Sequence, residues 1–117
     1  MQRIKAMLLP VGKSPREVEV ASLEDMQKLV GGYVEALPGK HRAMLYVNEE
    51  GKLHHLPPNP LANRLVRDWA IGMFPDDFIV GNVLVLGSCD KDGNETSCPA
   101  AAAEDVRRIY SQMAEEN

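Results

Sequence analysis

The chain has 117 residues, a formal net charge of −4 at neutral pH and 26% charged residues. That length supplies the core of one domain, so a single domain over residues 1–117 is expected. The acidic balance argues against nucleic-acid binding, which needs a dense cationic surface. No apolar run approaches the ~20 residues that span a bilayer, which argues against the membrane.

The N-terminal stretch MQRIKAMLLP carries two cations, but its apolar part is too short for a secretory signal. A cytoplasmic location is therefore expected, with Cys89 and Cys98 reduced. Ile4 to Leu9 is a mostly apolar run stopped by Pro10 and Gly12, and reads as a strand. Arg16 to Val20 alternates strictly, the pattern of a half-exposed strand, with GKSP as the hairpin loop between the two. Ser22 then opens a helix as its cap, and Glu24 and Asp25 complement its positive end. Leu23, Met26, Leu29 and Val30 recur at helical spacing and are expected to face the core. Gly31 follows.

Tyr33 to Leu37 alternates, Pro38 to Lys40 reads as a turn, and Arg42 to Asn48 is a further strand. Asn48 is expected as a turn residue beside Glu49, and Gly51 is expected at positive φ in the turn that follows. Leu53 to Leu56 is compatible with a short return strand. Asn59-Pro60 is a helix start, with Leu61, Leu65 and Trp69 on one face. Phe74 to Asp77 reads as a turn. Phe78 to Leu86 is the most β-prone segment; its near-continuous apolarity suggests a central strand, with Gly81 a bulge or close approach. Pro99 starts a last helix, whose apolar stripe is Ala102, Val106, Ile109, Tyr110 and Met113. The order is β-β-α-β-β-(β)-α-β-α. It predicts an α+β fold: a mostly antiparallel sheet of about five to six strands with three helices packed on it.

Three of these segments, LVGGYVEAL (Leu29 to Leu37), VNEEGKLHHLPPNP (Val47 to Pro60) and FPDDFIVGNVLVLG (Phe74 to Gly87), together resemble a small family of proteins of unknown function. Its members occur in bacteriophages, plasmids and other mobile elements, especially of Actinobacteria and Firmicutes. The resemblance runs from about Ala6 to Leu86. It implies a fold and a genomic setting, and no activity. His54-His55 departs from the small or apolar pair usual there, so the resemblance gives these histidines no role.

The Gly31-Gly32 pair follows a helix and precedes a strand. A dinucleotide fingerprint needs the reverse order, so the pair reads as a helix stop. His54 and His55 would point to opposite faces of a strand, and Cys89 and Cys98 lack a C-x-x-C spacing, so no metal site is expected. Asp90 to Thr96 (DKDGNET) has its glycine at the wrong place for a calcium loop, and Ala101 stands where the last ligand would be. No serine lies in a nucleophile elbow, so no catalytic residue is assigned and no cofactor is implied.

Arg64, Arg67, Arg107 and Arg108 are candidates for an anion pocket, weighed against ordinary solvated helix faces. Asn82 is a candidate because a polar residue in an apolar strand must find a partner or face solvent. Trp69 and Tyr33 could stack a base, but their periodicity places both in the core. The leading expectation is a non-enzymatic accessory protein of a phage or mobile element. It would bind a protein partner, host-directed or counter-defence, or a second copy of itself. The alternative is a small-molecule binder that sequesters a nucleotide signal; a small hydrolase is third.

Overall fold

The computed structural model describes residues 3–72 and 77–116. The turn expected at Phe74 to Asp77 lies, apart from Asp77, outside the described residues. The elements are β1 (Ile4–Leu9), β2 (Arg16–Val20), α1 (Leu23–Val30), β3 (Val34–Pro38), β4 (Ala43–Asn48), α2 (Pro60–Asp68), β5 (Val83–Gly87) and α3 (Ala100–Glu115). The five strands form one antiparallel sheet in the order β2-β1-β5-β4-β3. The α+β class and the element order are as the sequence predicts. No described helix is long and apolar enough to cross a membrane.

Alternation along the strands divides the core in two. Met7, Leu9, Leu45, Val47, Val83 and Val85 point to the face covered by α2 and α3. Ala6, Leu8, Tyr46, Leu84 and Leu86 point to the face covered by Met26 and Val30 of α1. Strand β5 lies at the centre and is buried on both faces, which is why its sequence does not alternate.

Local capping chemistry sets the helix ends. The Ser22 hydroxyl accepts from the Asp25 amide at 3.1 Å, and the Asn59 side chain accepts from the Ala62 amide at 3.0 Å ahead of Pro60. Gly31 takes the left-handed conformation (φ 87°) and donates to the Gln27 carbonyl at 2.8 Å, closing α1. Its neighbour Gly32 supplies space: a β-carbon there would stand 2.9 Å from Asn48 Nδ2.

Several expectations are corrected. Leu53 to Leu56 forms no strand; the segment is a run of turns, with the His54 amide on the Glu50 carbonyl (3.1 Å) and His55 at φ 56°. Gly51 is not among the residues at positive φ. It is needed for room, because a β-carbon there would meet Val80 Cγ2 at 2.6 Å. The ladder of β5 begins only at Val83; Gly81 (φ 78°) forms the corner before it, with its amide on the Pro57 carbonyl. Tyr33 is not a core residue but is 66% exposed, Leu23 is exposed at the start of α1, and Tyr110 is partly exposed on α3. Trp69 is buried as expected.

The β3–β4 turn also falls later than expected. The Ala43 amide donates to the Lys40 carbonyl at 3.0 Å, and the central residues His41 and Arg42 lie at φ 59° and 60°. This is the primed turn geometry that hairpins favour, here without the usual Asn-Gly pair.

Candidate functional site

The end of the sheet where β4 leaves and β5 enters carries a cavity of about 750 Å³. Glu35, Leu37 and Val47 form its sheet wall; Glu35 sits opposite Val47 in the β3–β4 register. The turn after β4 supplies Glu49, Glu50, Lys52 and Leu53, and the approach to β5 supplies Asp77, Phe78, Ile79 and Val80.

Two asparagine side chains, one buried and one half-buried, hold these walls in place. Asn48 is 8% exposed; its Nδ2 donates to the Val30 carbonyl (3.2 Å) and its Oδ1 accepts from the Glu50 amide (2.9 Å). It therefore opens the turn after β4, as expected, and fixes that turn to the end of α1. On the other wall, the Asn63 side chain on α2 brackets Ile79. It donates to the Ile79 carbonyl and accepts from the Ile79 amide, both at 2.8 Å. Pro58 and Val80 form an isolated bridge that joins the two walls.

The electrostatics of the cavity are acidic. Lys52 is its one lining cation among the described residues. It pairs with Asp77, and its ammonium lies 4.5 Å from the centre of the Phe78 ring. Among the described residues, Glu35 and Glu49 have no cationic partner in this lining. A smaller hollow of about 350 Å³ adjoins, sharing Asn48 and Glu50 and adding Gln27, Gly32, Tyr33 and His54. There, His54 Nε2 meets Glu50 Oε2 at 3.2 Å.

The rim is unusual in its apolar exposure. Among the described residues, the exposed large hydrophobic side chains include Tyr33 (66%), Leu53 (76%) and Phe78 (46%), which line these two adjoining hollows. Single exposed apolar residues are normal on a surface, whereas a cluster around a concavity marks an interaction site.

The residues singled out in the sequence lie outside this lining; of them, Arg64 and Arg67 both act on the Glu116 carboxylate. Asn82 finds its partners inside the protein. Its Oδ1 accepts from the Val11 amide (3.0 Å) and its Nδ2 donates to the Leu29 carbonyl (3.2 Å), tying the β1–β2 loop to α1. Arg64 makes a two-pronged contact with Glu116 (2.7 and 3.2 Å), and Arg108 bonds Asp105 (3.1 Å). Arg67 and Arg107 are exposed. None of these five residues lines the cavity.

A second polar cluster sits on α3. Asp105 Oδ2 accepts from Trp69 Nε1 (2.9 Å) and lies 3.0 Å from His41 Nε2, while Oδ1 accepts from Arg108. The Trp69 hydrogen bond, with help from Arg108 and His41, holds the Asp105 carboxyl down at about 2. The cluster pins the left-handed His41–Arg42 turn to the helix layer. Because the folded carboxyl titrates below its ordinary value of 3.8, its contribution is present above that value and is lost as pH falls through about 2. Allowing for its partial exposure, Asp105→Asn should cost about 1–2 kcal/mol at neutral pH. It should also flatten the acid limb of a plot of urea midpoint against pH. Parallel limbs for the two proteins would contradict this role.

Two thiols complete the chemically active groups. Burial pushes the Cys98 thiol up to about 11. Burial and the neighbouring Glu95 also raise Cys89, whose Sγ lies 3.6 Å from Glu95 Oε2. Both cysteines are free thiols, and neither is tuned toward the thiolate that nucleophilic chemistry uses. Tyr46 donates to the same Glu95 carboxylate and is held well above the usual phenol range, first by burial and then by that bond.

Residues 4–111 match the model of a family described as Domain of unknown function (DUF3846). The chain belongs to that family. No curated protein and no solved structure matches it significantly.

Proposed function

We propose that this DUF3846-family chain is a non-enzymatic binding protein, and that its partner is a protein presenting a cationic segment with apolar anchors. The observation that carries this reading is the set of exposed Leu53, Phe78 and Tyr33 side chains around hollows lined by Glu35, Glu49 and Glu50. Apolar anchors would bury these side chains at roughly 25 cal/mol per Å² of apolar surface. The carboxylates would steer and orient a cationic partner and reject an anionic one. An accessory role for a phage or mobile element, host-directed or counter-defence, belongs to this proposal on the strength of the sequence resemblance.

A sequestered nucleotide fits the same cavity poorly. Its phosphates would meet carboxylates, and the arginines that could bind phosphate are spent on Glu116 and Asp105 or stand on outer helix faces.

The test uses a peptide library of roughly ten-residue chains built from arginine, leucine and valine, long enough to cross such a site. The protein should bind members of this library and should not bind a matched library with glutamate in place of arginine. Added salt should weaken binding. Reversing the exposed Glu49 and Glu50 to lysine should weaken it at least about tenfold without loss of fold. Equal binding of the two libraries, or an unchanged affinity after charge reversal, would contradict the reading.

A further inference from the structure

We infer that the cationic segment binds as an added strand on the free edge of β3. This inference rests on the cavity reading above and says how the partner enters. The β3–β4 register determines which backbone groups face outward. The Tyr33 carbonyl accepts from the Glu49 amide and the Gly39 amide donates to the Ala43 carbonyl, both at 2.8 Å. In an antiparallel pair the inward-bonding residues alternate, so Tyr33, Glu35, Leu37 and Gly39 bond to β4. Val34, Ala36 and Pro38 therefore turn their backbone groups away from the sheet. Among the described residues no strand pairs with that side, and Ala36 is exposed.

The two edges of the sheet differ. Strand β2 carries Arg16, Glu17 and Glu19, the charge pattern that discourages strand addition. Strand β3 reads Val-Glu-Ala-Leu-Pro, with one charge and with its proline confined to the end. Glu35 and Leu37 alternate with the outward-bonding residues and line the cavity. A strand laid beside β3 would thus bond Val34 and Ala36 and send alternate side chains over the cavity, the usual mode of β-strand addition.

Charge decides between a second copy and a different chain. Self-pairing would set two acidic cavities side by side on chains of net charge −4. A cationic segment meets no such repulsion.

The test takes the tightest peptide from the arginine, leucine and valine library and measures amide hydrogen exchange on the wild-type protein. The Val34 and Ala36 amides should slow by at least about tenfold on binding. Two versions of the peptide, N-methylated on alternate residues in the two opposite phases, should separate: one phase should bind and the other should not. Ala36→Pro removes only an outward amide and should abolish binding; if that variant fails to fold, the methylated peptides on the wild type still decide. A peptide that binds with Val34 and Ala36 exchange unchanged and both methylated phases equal would overturn strand addition and leave the cavity reading standing. Failure of every library member to bind would remove the cavity reading, and strand addition with it.

Discussion

Asn59→Ala is expected to lose about 3–7 kcal/mol of stability, a large share of the roughly 5–15 kcal/mol typical of a domain. Asn59 is fully buried and its side chain makes three hydrogen bonds. Its Oδ1 caps α2 through the Ala62 amide, and its Nδ2 donates to the Leu9 and Gly81 carbonyls, each at 2.9 Å. Losing the cap costs about 1 kcal/mol. Leaving two buried carbonyls without a donor adds about 1–3 kcal/mol each when no water replaces it. Asn59→Asp separates these contributions. A carboxylate can still cap Ala62, but it cannot donate, and it would face two carbonyl oxygens. Urea denaturation should find the Asp variant no more stable than the Ala variant; an Asp variant near wild type would mean that capping alone matters.

Gly87→Ala is expected to destabilise the fold by about 2–3 kcal/mol through overpacking. Gly87 ends the central strand, pairs with Ala43, and donates to the Thr96 carbonyl at 2.9 Å. A β-carbon there would clash with Thr96 Oγ1 and stand 2.6 Å from the Ser97 carbonyl oxygen. Neither neighbour is free to move. The Thr96 hydroxyl donates to the Ser88 carbonyl at 2.7 Å, and the next residue, Cys98, bonds the Lys5 carbonyl through its amide at 2.8 Å. Thr96→Ala placed in the Gly87→Ala background should restore part of the loss and not all of it, because the Ser97 backbone remains. A Gly87→Ala protein with the wild-type urea midpoint would contradict the tight approach.

Legibility in the sequence followed the distance over which each feature is determined. The Ser22 and Asn59 caps and the Gly31 helix stop depend on residues three or four positions away, and all three were readable. The central place of β5 was readable because burial on both faces removes alternation. Gly51 was misjudged because its constraint is Val80, a neighbour only in space. The His41–Arg42 turn was invisible because its residues are not those that the left-handed region favours.

The candidate site was the least legible part. Asn82 was recognised as needing a partner, but the Leu29 carbonyl and Val11 amide that satisfy it come from other elements. Exposure of Leu53 and Phe78 could not be read from composition, since periodicity places apolar residues inside. The adjacent Glu49-Glu50 pair was the one local signal of the acidic cavity, and alone it reads as an ordinary turn.

The most direct measurement of the central claim is an amide chemical-shift titration of the wild-type protein with the tightest arginine–leucine–valine peptide. The cavity reading predicts that the perturbed amides cluster at Glu35, Glu49, Glu50, Leu53 and Phe78. Perturbations centred instead on Arg64, Arg67, Arg107 and Arg108, or spread without a centre, would contradict it.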